Sequence, residues 1–255
     1  MISLWKIINL RTLLVTGTSV LATWFCIKNN ITAEFPLTLV ATAVVFPVVF
    51  SINGAYKRRE RALTEYSSIK SHGRAIFFAA RDWLENPTPE ILSHARDHLE
   101  RVLVTTRDLL SDKDKNLRVN EEAVYKAFSD LSRFVKEELR GNGLASGEVS
   151  RCNQYMSKMF FAFENIKHIY QYRTPKTLRT FSAVFISLLP IIYGPYFAAE
   201  AANYSHYVTY AMPVLFSLVL VSLANIQSHL ENPFDQIGED DIQFNVDAFV
   251  NRLYD

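Results

Sequence analysis

FPLTLVATAVVFPVVFSINGAYKRR, residues 35–59, opens with 22 residues that carry no charge and closes on Lys57, Arg58 and Arg59. As a helix rising 1.5 Å per residue, the uncharged part is long enough to cross a hydrocarbon layer about 30 Å thick. The basic triplet marks the end that stays in the cytoplasm. The stretch predicts an integral membrane protein. Within it Thr42, Phe46 and Phe50 recur every four residues, with Pro47 in their midst. Four residues turn a helix through about 400°, so the three drift only about 40° per step and share one side.

Average composition conceals this. The chain is 49% hydrophobic and 21% charged with a formal charge of +1, values typical of a water-soluble domain. The charges are segregated. All of the 27 Lys and Arg except Lys6, Arg11, Lys28 and Arg252 fall within residues 57–179, as do all but nine of the 26 acids.

Three further apolar stretches have spanning character: residues 12–27, 181–199 and 207–226. The first is short and resembles a secretory leader, with Lys6 and Arg11 ahead of it, but no small-residue cleavage site follows near Lys28 and Asn29. It is expected to be retained. The last two form a hairpin. Lys and Arg are missing from the link after Lys28 and from residues 200–206, so both links are expected outside. Residues 57–179 and both termini are then cytoplasmic, in a multi-pass protein of the cell membrane. Cys26 falls in a span and Cys152 in the polar region, which argues against a disulfide.

The polar region predicts four helices and no strand. The first continues the second span to about Glu85 and stops at Asn86-Pro87-Thr88-Pro89, where Thr88 is suited to cap the next helix and Pro89 to open it. Buried stripes follow at Leu92, Ala95, Leu99, Val102, Leu103, Leu109 and Leu110, then at Val124, Phe128, Leu131, Val135 and Leu139. Gly141-Asn142-Gly143 ends the third helix, and the fourth presents Val149, Met156, Phe160, Phe163, Ile166 and Tyr170. The organisation expected is a first membrane hairpin over 1–56, a cytoplasmic helical domain over 57–179, a second hairpin over 180–227 and a cytoplasmic tail over 228–255.

In the tail, Glu231-Asn232-Pro233-Phe234 precedes the acidic cluster Glu239, Asp240 and Asp241. This resembles the bestrophin family, in which an N-P-F motif follows the last membrane helix and leads into acids. Arg173-Thr174-Pro175 stands where that family has a proline-containing turn before its third span. Phe46 and Phe50, followed by Tyr56 and Arg58, resemble its neck helix and the exit beyond. The matches cover nearly the whole chain in order. Departures are also present: Arg59 and Glu60 replace the usual aromatic pair after the exit arginine, and residues around Gln236 and Ile237 displace the acids. Of the family's calcium clasp, Asn232, Asp240 and Asp241 have approximate counterparts, at altered spacing.

The resemblance implies an all-α membrane fold, a homopentamer, and a pore lined by the second helix with its neck at Thr42, Phe46 and Phe50 and its exit at Asn53 and Arg58. Rings of Phe would form a hydrophobic constriction, since an ion there must shed water that the walls cannot replace. The partly positive phenyl edges suit chloride or another small anion, while Glu34 and Glu200 on the outer links favour cations. Pro47 frees the Ala43 carbonyl, tolerable where it faces water or protein. Spacing alone is equally met by Phe residues that face lipid or pack between helices.

Other polar residues carry weaker patterns. His94 and His98, four apart, lack an evident third metal ligand and read as a solvated face. Arg58, Arg59 and Arg61 read as headgroup anchors. Basic residues of the polar region alternate with acids as on a surface helix, not as a nucleic-acid stripe. Glycine-rich phosphate loops, paired cysteines and nucleophile elbows are all missing, so the chain does not read as an enzyme. No cofactor is called for beyond calcium. The rival to a channel is a membrane-anchored interaction or sensory protein.

Overall fold

The structure, a computed structural model, describes residues 8–34, 36–111, 116–173, 175–203, 208–236 and 241–255. Among the described residues it is helical throughout, without a strand. The helices are α1 (Leu10–Lys28), α2 (Leu37–Phe78, continued by a π turn at Ala79–Trp83), α3 (Pro89–Ser111), α4 (Leu117–Arg133, continued by a π segment at Phe134–Leu139), α5 (Ser146–Gln171), α6 (Lys176–Ile192), α7 (Gly194–Glu200), α8 (Ala211–Leu230) and α9 (Val246–Asn251). Four segments, Leu10–Lys28, Val40–Trp83, Lys176–Glu200 and Ala211–Leu230, are long and apolar enough to cross a membrane. The chain divides into two compact units, Met1–Lys57 with Arg173–Glu231 and Arg58–Tyr172 with Asn232–Asp255.

The first unit packs α1 against α6, α7 and α8. Its core holds Val15, Val44, Val48, Ile186, Leu189, Tyr193, Phe197, Leu220 and Val221. Hydroxyls and amides tie the helices together where apolar surface gives little drive for association. Asn225 Nδ2 donates to Thr12 Oγ1 at 3.1 Å, Ser19 Oγ to the Pro190 carbonyl at 3.0 Å, and Gln227 Nε2 to Ser51 Oγ at 2.8 Å, all buried.

The expected third span of 181–199 lies within the membrane-length segment Lys176–Glu200, which is interrupted at a single residue. α6 ends at Ile192 and α7 starts afresh at Gly194, with Tyr193 as the hinge between them. Pro195 cannot donate to a continuing helix and instead occupies the first turn of α7. Gly194 suits a close approach: a Cβ there would stand 3.2 Å from the backbone of Ala22 on α1, tighter than ordinary van der Waals contact. The fourth apolar helix also differs from expectation, running from Ala211 to Leu230 and not over 207–226; Tyr207 lies outside the described residues. In its polar last turn Gln227 has a buried partner in Ser51.

In the second unit the later part of α2 packs with α3, α4, α5 and the C-terminal segment around Tyr66, Ile69, Ile76, Phe77, Leu99, Phe134, Phe163 and Leu253. Thr88 caps α3 as its sequence predicts, its Oγ1 accepting from the Ile91 N–H at 3.3 Å. The stripe expected on the fourth helix of this region is narrower than drawn, since Phe160 is exposed while Phe163 and Ile166 are buried. The described tail is ordered by packing. Phe234 stacks on Phe244 with centroids 6.2 Å apart, Phe244 meets Tyr66 edge-on at 5.1 Å, and the Ile242 N–H donates to the Pro233 carbonyl at 2.8 Å. Cys26 and Cys152 are both free and buried, and burial pushes the Cys152 thiol up to about 11.

A polar network joins α4 to α5. Lys167 Nζ lies 3.0 Å from Glu121 Oε1 and 2.7 Å from Glu164 Oε2, and the Tyr125 hydroxyl donates to Glu121 at 2.9 Å. Burial opposes the charge on Lys167, but bonds to Glu164, Tyr125 and Glu121 outweigh it and raise the ammonium's pKa. Donation from Lys167 and then Tyr125 holds Glu121 below its ordinary 4.5. A carboxylate depressed in the fold stabilises fully above its unfolded value, and that contribution is lost as pH falls through the native value.

Two outcomes follow from this packing. Ser51→Ala leaves the Gln227 amide buried without its partner and costs about 1 kcal/mol, read as a lower melting temperature in detergent, whereas adding Gln227→Leu recovers most of the loss. The melting-temperature gap between native protein and Lys167→Met is widest above about pH 5 and narrows as pH is lowered toward about 3; an unchanged gap would remove Glu121 from the account.

Candidate functional site

The membrane-length part of α2 has two unlike sides. Val44, Val48, Ser51 and Ala55 are buried in the first unit, with Val48 only 1% exposed. Rotated away from them, Thr42, Phe46, Phe50 and Asn53 are exposed, with Phe46 at 58% and Phe50 at 63%. The two phenyl rings lie 5.6 Å apart and are tilted by 51°. The packed side therefore fixes which side of the helix looks outward, and it is the aromatic one. Pro47 sits inside the helix without ending it. Tyr56 is also exposed.

Past this stretch the expected exit group is altered by its neighbours. Arg58 is half-buried and makes contacts of its own. Arg59 Nη1 pairs with Glu60 Oε1 at 2.6 Å, so the position of the missing aromatic pair holds an adjacent ion pair. Of the two carboxylates on the links between apolar helices, Glu34 is exposed, and Glu200 accepts from Asn203 Nδ2 at 3.0 Å. In the turn before α6, Pro175 holds an extended backbone and Thr174 lies outside the described residues.

Around the N-P-F motif, Glu231 is 8% exposed, and its Oε2 accepts from Arg179 Nη1 at 3.1 Å. Asn232 Nδ2 donates to Asp235 Oδ2 at 3.0 Å, while Asn232 Oδ1 is buried without a hydrogen-bond partner. An amide oxygen of that kind suits calcium, but the ion takes six to eight oxygens. Among the described residues no three His, Cys, Asp or Glu gather as a metal group. Asp241 is described and nearly buried, whereas Asp240 lies outside the described residues. The described donor set falls short of a calcium site. Asp235 escaped the sequence reading, although its place three residues after Asn232 is the usual signal of a local side-chain pair.

His94 and His98 do not share a solvated face. His94 is exposed, and the hydrogen bond its Nδ1 shares with Glu138 at 2.7 Å raises its pKa. His98 is half-buried against Phe134, with ring centroids 5.2 Å apart, and burial lowers its pKa. One turn of helix carries the second ring inward, onto the π segment that follows α4.

No family model matches the chain, and no curated protein matches its sequence. Solved structures do. A mutant of the bacterial bestrophin homologue from Klebsiella pneumoniae aligns over 98% of this chain and 96% of its own, at 17% identity and a TM-score of 0.73. A second mutant aligns over 98% and 100% of the two chains, at 18% identity and a TM-score of 0.75. A third structure of that homologue covers 95% and 94%, at 16% identity and a TM-score of 0.72. From end to end, the fold of this chain is the fold of the bacterial bestrophin homologues.

Proposed function

We propose that the chain is the subunit of an ion channel that passes chloride or other small anions through a pore on a five-fold axis. The α2 helices line that pore, with Thr42, Phe46 and Phe50 as its neck and Asn53 and Arg58 toward its exit. The observation that carries the reading is the exposed aromatic stripe on a helix whose opposite side is sealed by packing. Five such stripes facing one axis stack as rings, and a ring of phenyl groups resists a hydrated ion because it offers no replacement for lost water. Edge-on phenyl groups present partial positive charge, which lowers that resistance for an anion relative to a cation. Asn53 adds amide donors beyond the constriction.

In this proposal residues 1–56 and 180–227 form the membrane hairpins, residues 57–179 the cytoplasmic domain and residues 228–255 a cytoplasmic tail. Both termini lie inside the cell membrane's cytoplasmic face. Basic residues on the inner side and their near absence from the outer links support that orientation. Transport is passive and no catalytic step is involved. A cation-conducting variant of the same pore is the second reading, favoured by the exposed carboxylate of Glu34 on an outer link.

Purified protein in planar bilayers under a chloride gradient tests both readings. The native chain conducts with a reversal potential near the chloride equilibrium value, and Phe46→Ala with Phe50→Ala raises the conductance by widening and wetting the neck. Reversal at the cation value replaces the anion assignment with the second reading. Silence from correctly assembled oligomers of both proteins ends the channel proposal and leaves a membrane-anchored interaction protein.

A further inference from the structure

Beyond its apolar stretch, α2 presents Ser67, Lys70, Ser71, Arg74 and Phe78 at intervals of three and four, which places them on one side of the helix. The C-terminal segment sets Gln243, Asn245, Phe249 and Arg252 against that side, and a cavity of about 600 Å³ lies between them. Three cations line it and no carboxylate does. Elsewhere in the second unit Arg61, Arg81, Arg96, Arg101, Arg107, Arg118 and Lys167 each stand within 4 Å of an acid. Lys70, Arg74 and Arg252 have no ion pair among the described residues. Lys70 and Arg74 rest instead on aromatic rings, the ammonium 4.7 Å from the Tyr66 centroid and the guanidinium 5.6 Å from that of Phe249. Arg74 Nε is buried with no hydrogen-bond partner.

Like charges four residues apart on a helix repel, and a buried guanidinium N–H without an acceptor is costly. Both penalties are relieved by one bound anion. Guanidinium groups match phosphate oxygens in paired hydrogen bonds, an ammonium adds a point charge, and hydroxyl and amide groups complete the donors. The volume falls in the range of small-molecule sites, far above that of one chloride ion. Phe78 and Phe249 supply an apolar wall for whatever group bears the phosphates. We propose that this cavity binds a soluble anion carrying two or more phosphate groups, held between α2 and the C-terminal segment. A soluble ligand fits the position better than a lipid headgroup, because Arg74 lies 17 residues past Lys57, roughly 25 Å of helix. The proposal does not depend on the pore reading.

The test is calorimetric titration of inorganic pyrophosphate into the full chain, held in nanodiscs of neutral lipid at constant ionic strength. Saturable binding of one pyrophosphate per subunit is expected, with sodium chloride giving none. Arg74→Gln and Arg252→Gln each weaken it about tenfold, the loss of one charge-assisted contact, while Arg118→Gln on the exposed surface leaves it unchanged. Lys70→Gln, at a position that is not fully buried, supplies the same readout if Arg74→Gln fails to fold. Absence of saturable heat at millimolar pyrophosphate, or equal affinity in the native and Gln variants, overturns the proposal. Binding seen only when a phosphorylated inositol lipid is added to the nanodiscs overturns the soluble assignment.

Discussion

The sealed side of α2 is the constraint from which the candidate neck derives. Val44 and Val48 sit in the core of the first unit, and one turn further the Ser51 hydroxyl receives the Gln227 amide of α8. Together they allow α2 a single rotational setting in that unit. A rotation of half a turn would bury Phe46 and Phe50 and strand both polar partners where no water replaces them. The outward aromatic stripe is thus a product of interactions made on the other side of the helix.

The same economy of polar contacts shapes the rest of the first unit. Bonds from Ser19, Asn225 and Gln227 place hydroxyl and amide groups where lipid-like surroundings leave them no alternative. Gly194 lets α7 reach the backbone of α1. In the second unit the logic changes to aromatic packing and ion pairs: the tail is held by Phe234 and Phe244, and α4 meets α5 through Lys167 and its carboxylates.

Much of this was legible because its signals are local. Uncharged runs mark the apolar helices, and three- and four-residue spacing marks the buried stripes and the common side of Thr42, Phe46 and Phe50. Thr88 and Pro89 announced the start of α3. The one-residue interruption at Tyr193 was not foreseen although Gly194-Pro195 stood in plain view, since hydropathy averages over it. His98 was misplaced because one turn of helix separates a wet side from Phe134, and only the π segment after α4 determines which is which. The cations of α2 read as an ordinary surface because acids alternate with them in sequence. Which acid reaches which base is settled by tertiary packing, and it leaves Lys70, Arg74 and Arg252 together.

The two cysteines have a practical corollary. One lies in each unit, both are buried, and the Cys152 thiol is held far from its reactive anion. The native chain is therefore close to silent toward maleimides at neutral pH. A thiol introduced at Thr42 or Asn53 would report water access to the aromatic side of α2 against that blank background, without first removing any native residue.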